Sequence, residues 1–387
     1  MRNNLIIKNC RMADQTDTDY IDVFIQDGKI SKIGLIKTIP DNIVILDAQG
    51  KIIAPGFIDV HIQGAGGSDV LDGSVEALET ISTTLARFGV TGFLATTVMK
   101  PENNNRHLRV LAENRMKDLG GAKILGIHLE GPFINPVKKG GILPGGVYPP
   151  SKYAFDEIND ILGSSLKMMT IAPEMDGSLA IIDRLIKNNC IPAFGHSNAT
   201  YEEVLTGFKA GINHVTHIFN AMAPLHHRFP GPLLAIFESD NITAQIISDG
   251  VHLHPRIVNY LYHTLGKNRC ICITDGIQAI GLPEGKYIYN DREYESKDGS
   301  ARYDDGTLIG TALSVGHIAA RFQEYTGCDL ATAIDTITKN PAELLGLFDR
   351  KGTIEIGKDA DLVIMEPDFS IDTTIIDGRV VFRKEEE

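Results

Sequence analysis

The stretch Ile124-Leu125-Gly126-Ile127-His128-Leu129-Glu130-Gly131-Pro132-Phe133 decides how the rest of this chain is read. A short apolar run stops at a carboxylate and then at a Gly-Pro breaker. That is the pattern of a buried strand carrying one charged side chain to its C-terminal tip. Seven other runs end in the same way, at 56–60, 92–96, 168–172, 191–194, 213–216, 244–248 and 270–274. Amphipathic helical patterns separate most of them, for example at 75–88, 179–188 and 201–210. Eight strands alternating with helices predict a parallel α/β architecture closed into a (β/α)8 TIM barrel.

The residues just past the eight tips are His61, Thr97, Glu130, Glu174, His196, His217, Asp249 and Asp275. Seven are His, Asp or Glu, and a barrel of this kind carries its chemistry at the C-terminal ends of its strands. Both ends of the chain have a different texture. Short strands are expected at 5–7, 23–25, 30–33 and 43–46, with turns such as Asp27-Gly28, and again at 352–354, 361–365 and 377–382. Residues 1–53 and 348–387 are therefore expected to build one small β-sandwich, with the barrel at 54–347. The Lys/Glu tail at 384–387 reads as a frayed end.

A length of 387 residues suits one barrel plus a smaller unit. The net charge of −13 argues against a nucleic-acid partner or an anionic membrane surface. An anionic small molecule would need a local positive cluster. The cysteines are five, an odd number, no pair has zinc-ribbon spacing, and Cys270-x-Cys272 lies inside an apolar run. Free thiols in a reducing cytoplasm are expected. No apolar leader region opens the chain and no 18 apolar residues run together, so neither secretion nor membrane insertion is expected.

Glu130, His196 and His217 stand at tips three, five and six. Two imidazoles and a carboxylate converging on one point suit a single divalent ion, zinc first, with iron, manganese or cobalt as alternatives. Three protein ligands leave a position open for water. Any one of these histidines alone reads better as a satisfied core or cap residue; the three together at matched tips favour a metal. Asp275 ends a very apolar strand and is placed to act as general base and then general acid, unless it merely caps a helix. Positive groups follow strand six, at His226-His227-Arg228, and strand seven, at Asp249-Gly250-Val251-His252. Arg228 and His252 either hold a phosphate or belong to solvated loops. Gly64, Gly66 and Gly67 do not form a dinucleotide fingerprint, and Lys138 and Lys139 read as exposed loop charges.

Six motifs together resemble the N-acetylglucosamine-6-phosphate deacetylases of the amidohydrolase superfamily: Pro55-Gly56-Phe57-Ile58-Asp59-Val60-His61, His128-Leu129-Glu130-Gly131-Pro132-Phe133, Gly195-His196-Ser197-Asn198-Ala199-Thr200, Thr216-His217-Ile218-Phe219-Asn220-Ala221-Met222, Asp249-Gly250-Val251-His252 and Thr274-Asp275. Gly306-Thr307-Leu308-Ile309-Gly310-Thr311 and the segments at 351–354 and 357–362 extend the likeness over nearly the whole chain. The resemblance implies a distorted barrel with a small β-sandwich, a metal on Glu130, His196 and His217, and Asp275 as catalytic acid/base. It also implies sugar-phosphate contacts from Asn220, Ala221, Arg228, His252, Leu308, Ile309, Gly310 and Thr311. A homodimer is implied in which Arg228 reaches the neighbouring site.

Two positions depart from that family. Gln63 replaces the second histidine of the His-x-His found in two-metal members, and an amide is a weak ligand. Ile142 stands where many members have a histidine that contacts the acetyl carbonyl, and it cannot donate a hydrogen bond. Three readings stay open: hydrolysis of the acetamide of N-acetylglucosamine 6-phosphate or its galactosamine epimer, a different amidohydrolase, or a non-catalytic sugar-phosphate sensor. A cyclic-amide hydrolase would usually carry a lysine at tip four, where this chain has Ala172-Pro173-Glu174.

Overall fold

The computed structural model describes residues 4–14, 20–39, 43–115, 117–289 and 292–385, so 386–387 of the charged tail lie outside the described residues. Eight parallel strands form one sheet in chain order. They are β1 (Phe57–Ile62), β2 (Val90–Thr97), β3 (Lys123–Glu130), β4 (Leu166–Ile171), β5 (Ile191–Phe194), β6 (His214–Val215), β7 (Thr243–Ile246) and β8 (Cys270–Cys272). Every residue of β1 and β2 is buried. Such strands are covered on both faces, which is why they read as unbroken apolar runs.

Parallel neighbours need a crossover, and the helices supply it. The helix Val75–Arg87 starts where the Ser74 side chain accepts from the Ala77 N–H, and it buries Leu78, Ile81 and Leu85 on one stripe. The helix Tyr201–Ala210 opens with a Thr200/Glu203 capping box and stops at Gly211, whose φ is 115°.

The barrel is distorted at its seam. Near the tips, Ile62 bridges to Gly276 and the Asp275 N–H donates to His61 O at 2.9 Å. Further down, β1 and β8 bond to residues 336–337 instead: Ile58 N–H to Ile337 O at 2.7 Å and Cys272 N–H to Thr336 O at 3.1 Å. Direct closure is thus confined to the end where His61 and Asp275 stand.

The termini make two four-stranded sheets. One contains Leu5–Cys10, Ile21–Gln26, Lys29–Ile33 and Val44–Asp47; the other contains Ile52–Pro55, Leu362–Met365, Ile371–Ile376 and Arg379–Arg383. Ile52–Pro55 pairs antiparallel with Leu362–Met365, so the second sheet is built from both ends of the chain. Leu5, Ile7, Val23 and Ile25 share one apolar core with Leu362, Ile364 and Ile375. The segment 352–354, expected as a strand, is not one. Gly352 has φ 90°, and a Cβ there would meet Ala342 Cβ at 2.8 Å, so the chain turns tightly at this point.

After β8 comes an antiparallel sheet that the sequence reading did not anticipate: Gly285–Tyr289, Arg292–Lys297, Ser300–Tyr303 and Leu308–Thr311. Its hairpin at Asp298-Gly299 has positive φ at both residues, 52° and 77°, which marks a tight two-residue turn. This sheet joins the barrel where Thr311 bridges Gly276. All five cysteines are free. Among the described residues no helix is long and apolar enough to cross a membrane.

Candidate active site

The backbone leaves strand geometry just past the tips that matter most. His196, His217 and Asp275 have φ values of 47°, 25° and 48°. A left-handed conformation at a non-glycine residue costs on the order of 1–3 kcal/mol and persists only where the surroundings enforce it. Gly195 permits the approach to His196: a Cβ there would lie 2.8 Å from Thr170 Cγ2 and 2.9 Å from Thr216 Cβ.

These bends bring Glu130, His196 and His217 together. Glu130 Oε1 lies 3.0 Å from His196 Nε2 and 2.9 Å from His217 Nε2. All three residues are buried, and their ligand atoms lie within 4.8 Å of one another. His196 Nδ1 is 2.7 Å from the carbonyl of Lys138, which keeps a proton on that nitrogen and leaves Nε2 for a ligand. His217 Nδ1 is buried without a partner. Two imidazole lone pairs and an anionic oxygen aimed at one point repel unless positive charge lies between them, so this donor set fits a divalent ion.

His61 stands beside this cluster, with Nε2 at 3.1 Å from Asp275 Oδ1 and 3.6 Å from Glu130 Oε2. Its Nδ1 lies 2.9 Å from Gln245 Oε1. Burial opposes a charge on this ring, but the Asp275 and Glu130 carboxylates outweigh it and raise the His61 pKa well above the usual range. Burial pushes the Glu130 carboxyl up, yet His61, His196 and His217 hold it well below the ordinary carboxylate range. Asp275 behaves similarly: burial raises it, His61 dominates, and the carboxyl is lowered. Burial lowers His217.

A cavity of about 330 Å³ opens over these groups, and Glu130, His196, His217 and Asp275 line it. Asn220, Ala221, His252, Leu308 and Ile309 line it as well. His252 is held by Asp249, whose Oδ2 lies 2.6 Å from His252 Nδ1 while Oδ1 accepts two backbone N–H groups at 2.8 Å. Gly310 and Thr311 sit behind the wall. Thr311 N–H donates to Asp275 O at 3.1 Å, and a Cβ on Gly310 would come within 2.5 Å of that same oxygen. Arg228 is not among the lining residues of its own chain's cavity. It is exposed, with Nη1 2.9 Å from His227 Nε2, and borders a separate recess with Thr200 and Phe229.

Some residues play a different part from the one their position suggested. Glu174 is turned to hold loops: its carboxylate accepts from Asn135 Nδ2, Ser197 Oγ and the Asn198 N–H at 2.7–3.0 Å. Lys138, read as an exposed loop charge, lines the cavity and donates through Nζ to Met222 O at 3.1 Å. Lys139 donates to the carbonyls of Gly140 and Ile142. Ile142 packs with Val98 and Ile134, making one wall of the cavity apolar. Gln245 and Tyr289 escaped the sequence reading. A lone amide in the apolar run Ala244-Gln245-Ile246 was the available signal for the first, and the Asp298-Gly299 hairpin for the sheet that carries the second.

The model of the amidohydrolase family matches residues 52–381. The chain is 34% identical over 394 residues to the N-acetylglucosamine-6-phosphate deacetylase of Bacillus subtilis, covering 100% of this chain and 99% of that protein. It is 32% identical to the N-acetylgalactosamine-6-phosphate deacetylase of Escherichia coli O157:H7, over 90% of this chain and 92% of that one. Among solved structures it resembles a mutant N-acetyl-D-glucosamine-6-phosphate deacetylase of Mycobacterium smegmatis in complex with N-acetyl-D-glucosamine-6-phosphate. That likeness has a TM-score of 0.88 and 28% identity, covering 98% of this chain and 99% of that chain.

Proposed function

This chain belongs to the amidohydrolase family and is a hydrolase acting on an amide, and from that premise we propose that it cleaves the acetamide of N-acetylglucosamine 6-phosphate to give glucosamine 6-phosphate and acetate. One observation carries the reading: Glu130, His196 and His217, a group that could hold a metal ion, and the Asp275 carboxylate line the same cavity as His252, Asn220 and Ala221.

Glu130, His196 and His217 would hold one divalent ion, with zinc the best match to two nitrogen donors and one oxygen. When bound, such an ion polarises the amide oxygen and lowers the pKa of a water from 15.7 to about 7. Asp275 accepts a proton from the attacking water as the water's oxygen bonds to the acyl carbon. It then delivers that proton to the nitrogen as the C–N bond breaks, because an amide anion is too basic to leave unaided. His252, steadied by Asp249, and the Asn220-Ala221 backbone orient the sugar phosphate, and Lys138 adds positive charge to the wall. Ile142 offers no hydrogen bond to the acyl oxygen, so polarising that oxygen would fall to the ion that Glu130, His196 and His217 would hold.

The exposed position of Arg228 supports a homodimer in which it serves the neighbour's phosphate. Mixing Arg228→Ala chains with Asp275→Asn chains should then regain activity that neither has alone, because one site of the mixed dimer is complete. The galactosamine epimer is the second reading, favoured by the 32% identity to a deacetylase of that sugar phosphate. Acetate release from the two epimers, with metal content measured on the same sample, tests the assignment; no release from either sinks it.

A further inference from the structure

We propose that Gln63 and Tyr289 form a two-residue relay that positions Asp275: Tyr289 orients the Gln63 amide, and the amide orients the carboxylate. The proposal rests on the reading of Asp275 as the acid/base. Gln63 is fixed at both ends of its own peptide, its N–H donating to Gly276 O at 2.7 Å and its carbonyl accepting from the Val70 N–H at 2.9 Å. Its buried side chain places Nε2 3.3 Å from Asp275 Oδ1. On the other side, its Oε1 accepts from the Tyr289 hydroxyl in a short hydrogen bond.

The direction of both bonds follows from chemistry. An ionised carboxylate only accepts, so the amide must turn its NH2 toward Asp275. Its carbonyl then faces Tyr289, and the phenol must donate. Turning the amide over would set oxygen against oxygen across 3.3 Å. Tyr289 is held at the end of the strand Gly285–Tyr289, in an apolar cluster with Ile277, Tyr294 and Tyr303, so its hydroxyl is fixed by packing. His61 Nε2 also contacts Oδ1, at 3.1 Å. Both contacts fall on one oxygen of Asp275, which leaves Oδ2 as the atom that takes up and returns the proton. Gln63, which as a ligand would be weak, is here a positioning residue, and the added sheet after β8 supports the chemistry through Tyr289.

The test is a double-mutant cycle on the full-length, metal-loaded protein, reading kcat and KM for acetate release, metal content and thermal midpoint. Gln63→Met and Tyr289→Phe keep the packing and remove one link each. Each should lower kcat roughly 10–100-fold, as loss of a supporting partner typically does, with KM and metal content nearly unchanged. Because they act in series, the double variant should be no slower than Gln63→Met alone. A near-normal kcat in Gln63→Met, or losses that multiply in the double variant, overturns the relay. If Tyr289→Phe fails to fold, Gln63→Met decides by itself. Asp275→Asn measured alongside separates the two claims: full turnover there removes the acid/base reading, whereas an inactive Asp275→Asn beside a fully active Gln63→Met removes the relay alone.

Discussion

His196 and His217 turn their Nε2 atoms to within 3.1 Å of each other, and both reach the same oxygen of Glu130. Two ring nitrogens gathered on one carboxylate oxygen make a donor set suited to a divalent ion. Chelation should abolish acetate release, and added zinc should restore it. His217→Ala should bind less than stoichiometric metal and lose more than the roughly 10–100-fold that follows loss of an outer-shell partner. Metal analysis of purified variants checks this; full metal content in His217→Ala would remove that ligand from the set.

Asp275 carries a lowered pKa, since His61 beside it overcomes the cost of burial. Asp275→Asn keeps the shape and cannot take up a proton. Turnover should fall on the order of 10²–10⁴-fold while metal content stays constant. Parallel kinetics and metal analysis read both at once, and retention of near-normal turnover would end the assignment.

Asp249 orients His252 through a 2.6 Å contact and two backbone bonds. Asp249→Asn replaces the carboxylate that pairs with the ring by a neutral amide and should weaken the hold on phosphate proposed for His252. KM for the phosphorylated sugar should rise about tenfold, equivalent to roughly 1.4 kcal/mol, with a smaller change in kcat. An unchanged KM would place the phosphate elsewhere.

Asp69 is buried, and burial raises its pKa from 3.8 to about 7. The folded state therefore binds a proton that the unfolded chain has already released. A raised carboxyl pKa means stability that is present at low pH and lost as pH climbs from about 4 through about 7. Thermal midpoints should fall across that window, and Asp69→Asn, which keeps an acceptor for the Leu71 N–H, should flatten the slope. Equal slopes in both proteins would contradict the shift.

The barrel, its eight tips and the β-rich ends were legible because each is written locally. An apolar run followed by a charged residue and a breaker has one economical reading, and the eight barrel strands begin and end within a few residues of their expected places, whereas at the chain ends 352–354 is not a strand and Ile52–Pro55 and Ile371–Ile376 were not expected. The candidate metal site was legible for the same reason: His196 and His217 follow short strands that lie next to each other in the sheet, and Glu130 ends a third.

What the tertiary structure alone decided is which of those tip residues face one another. Glu174 stands past a strand tip as Glu130 stands at one, yet its carboxylate accepts from Asn135, Ser197 and Asn198 because the loop past β5 folds over it. Lys138 entered the cavity wall because its carbonyl is needed by His196. Gln63 and Tyr289 are 226 positions apart, and no local pattern joins them. Periodicity records what a residue does for its own strand or helix. The partners of a side chain past a strand tip depend on backbone bends at His196, His217 and Asp275, and surrounding packing, rather than local preference, enforces those bends.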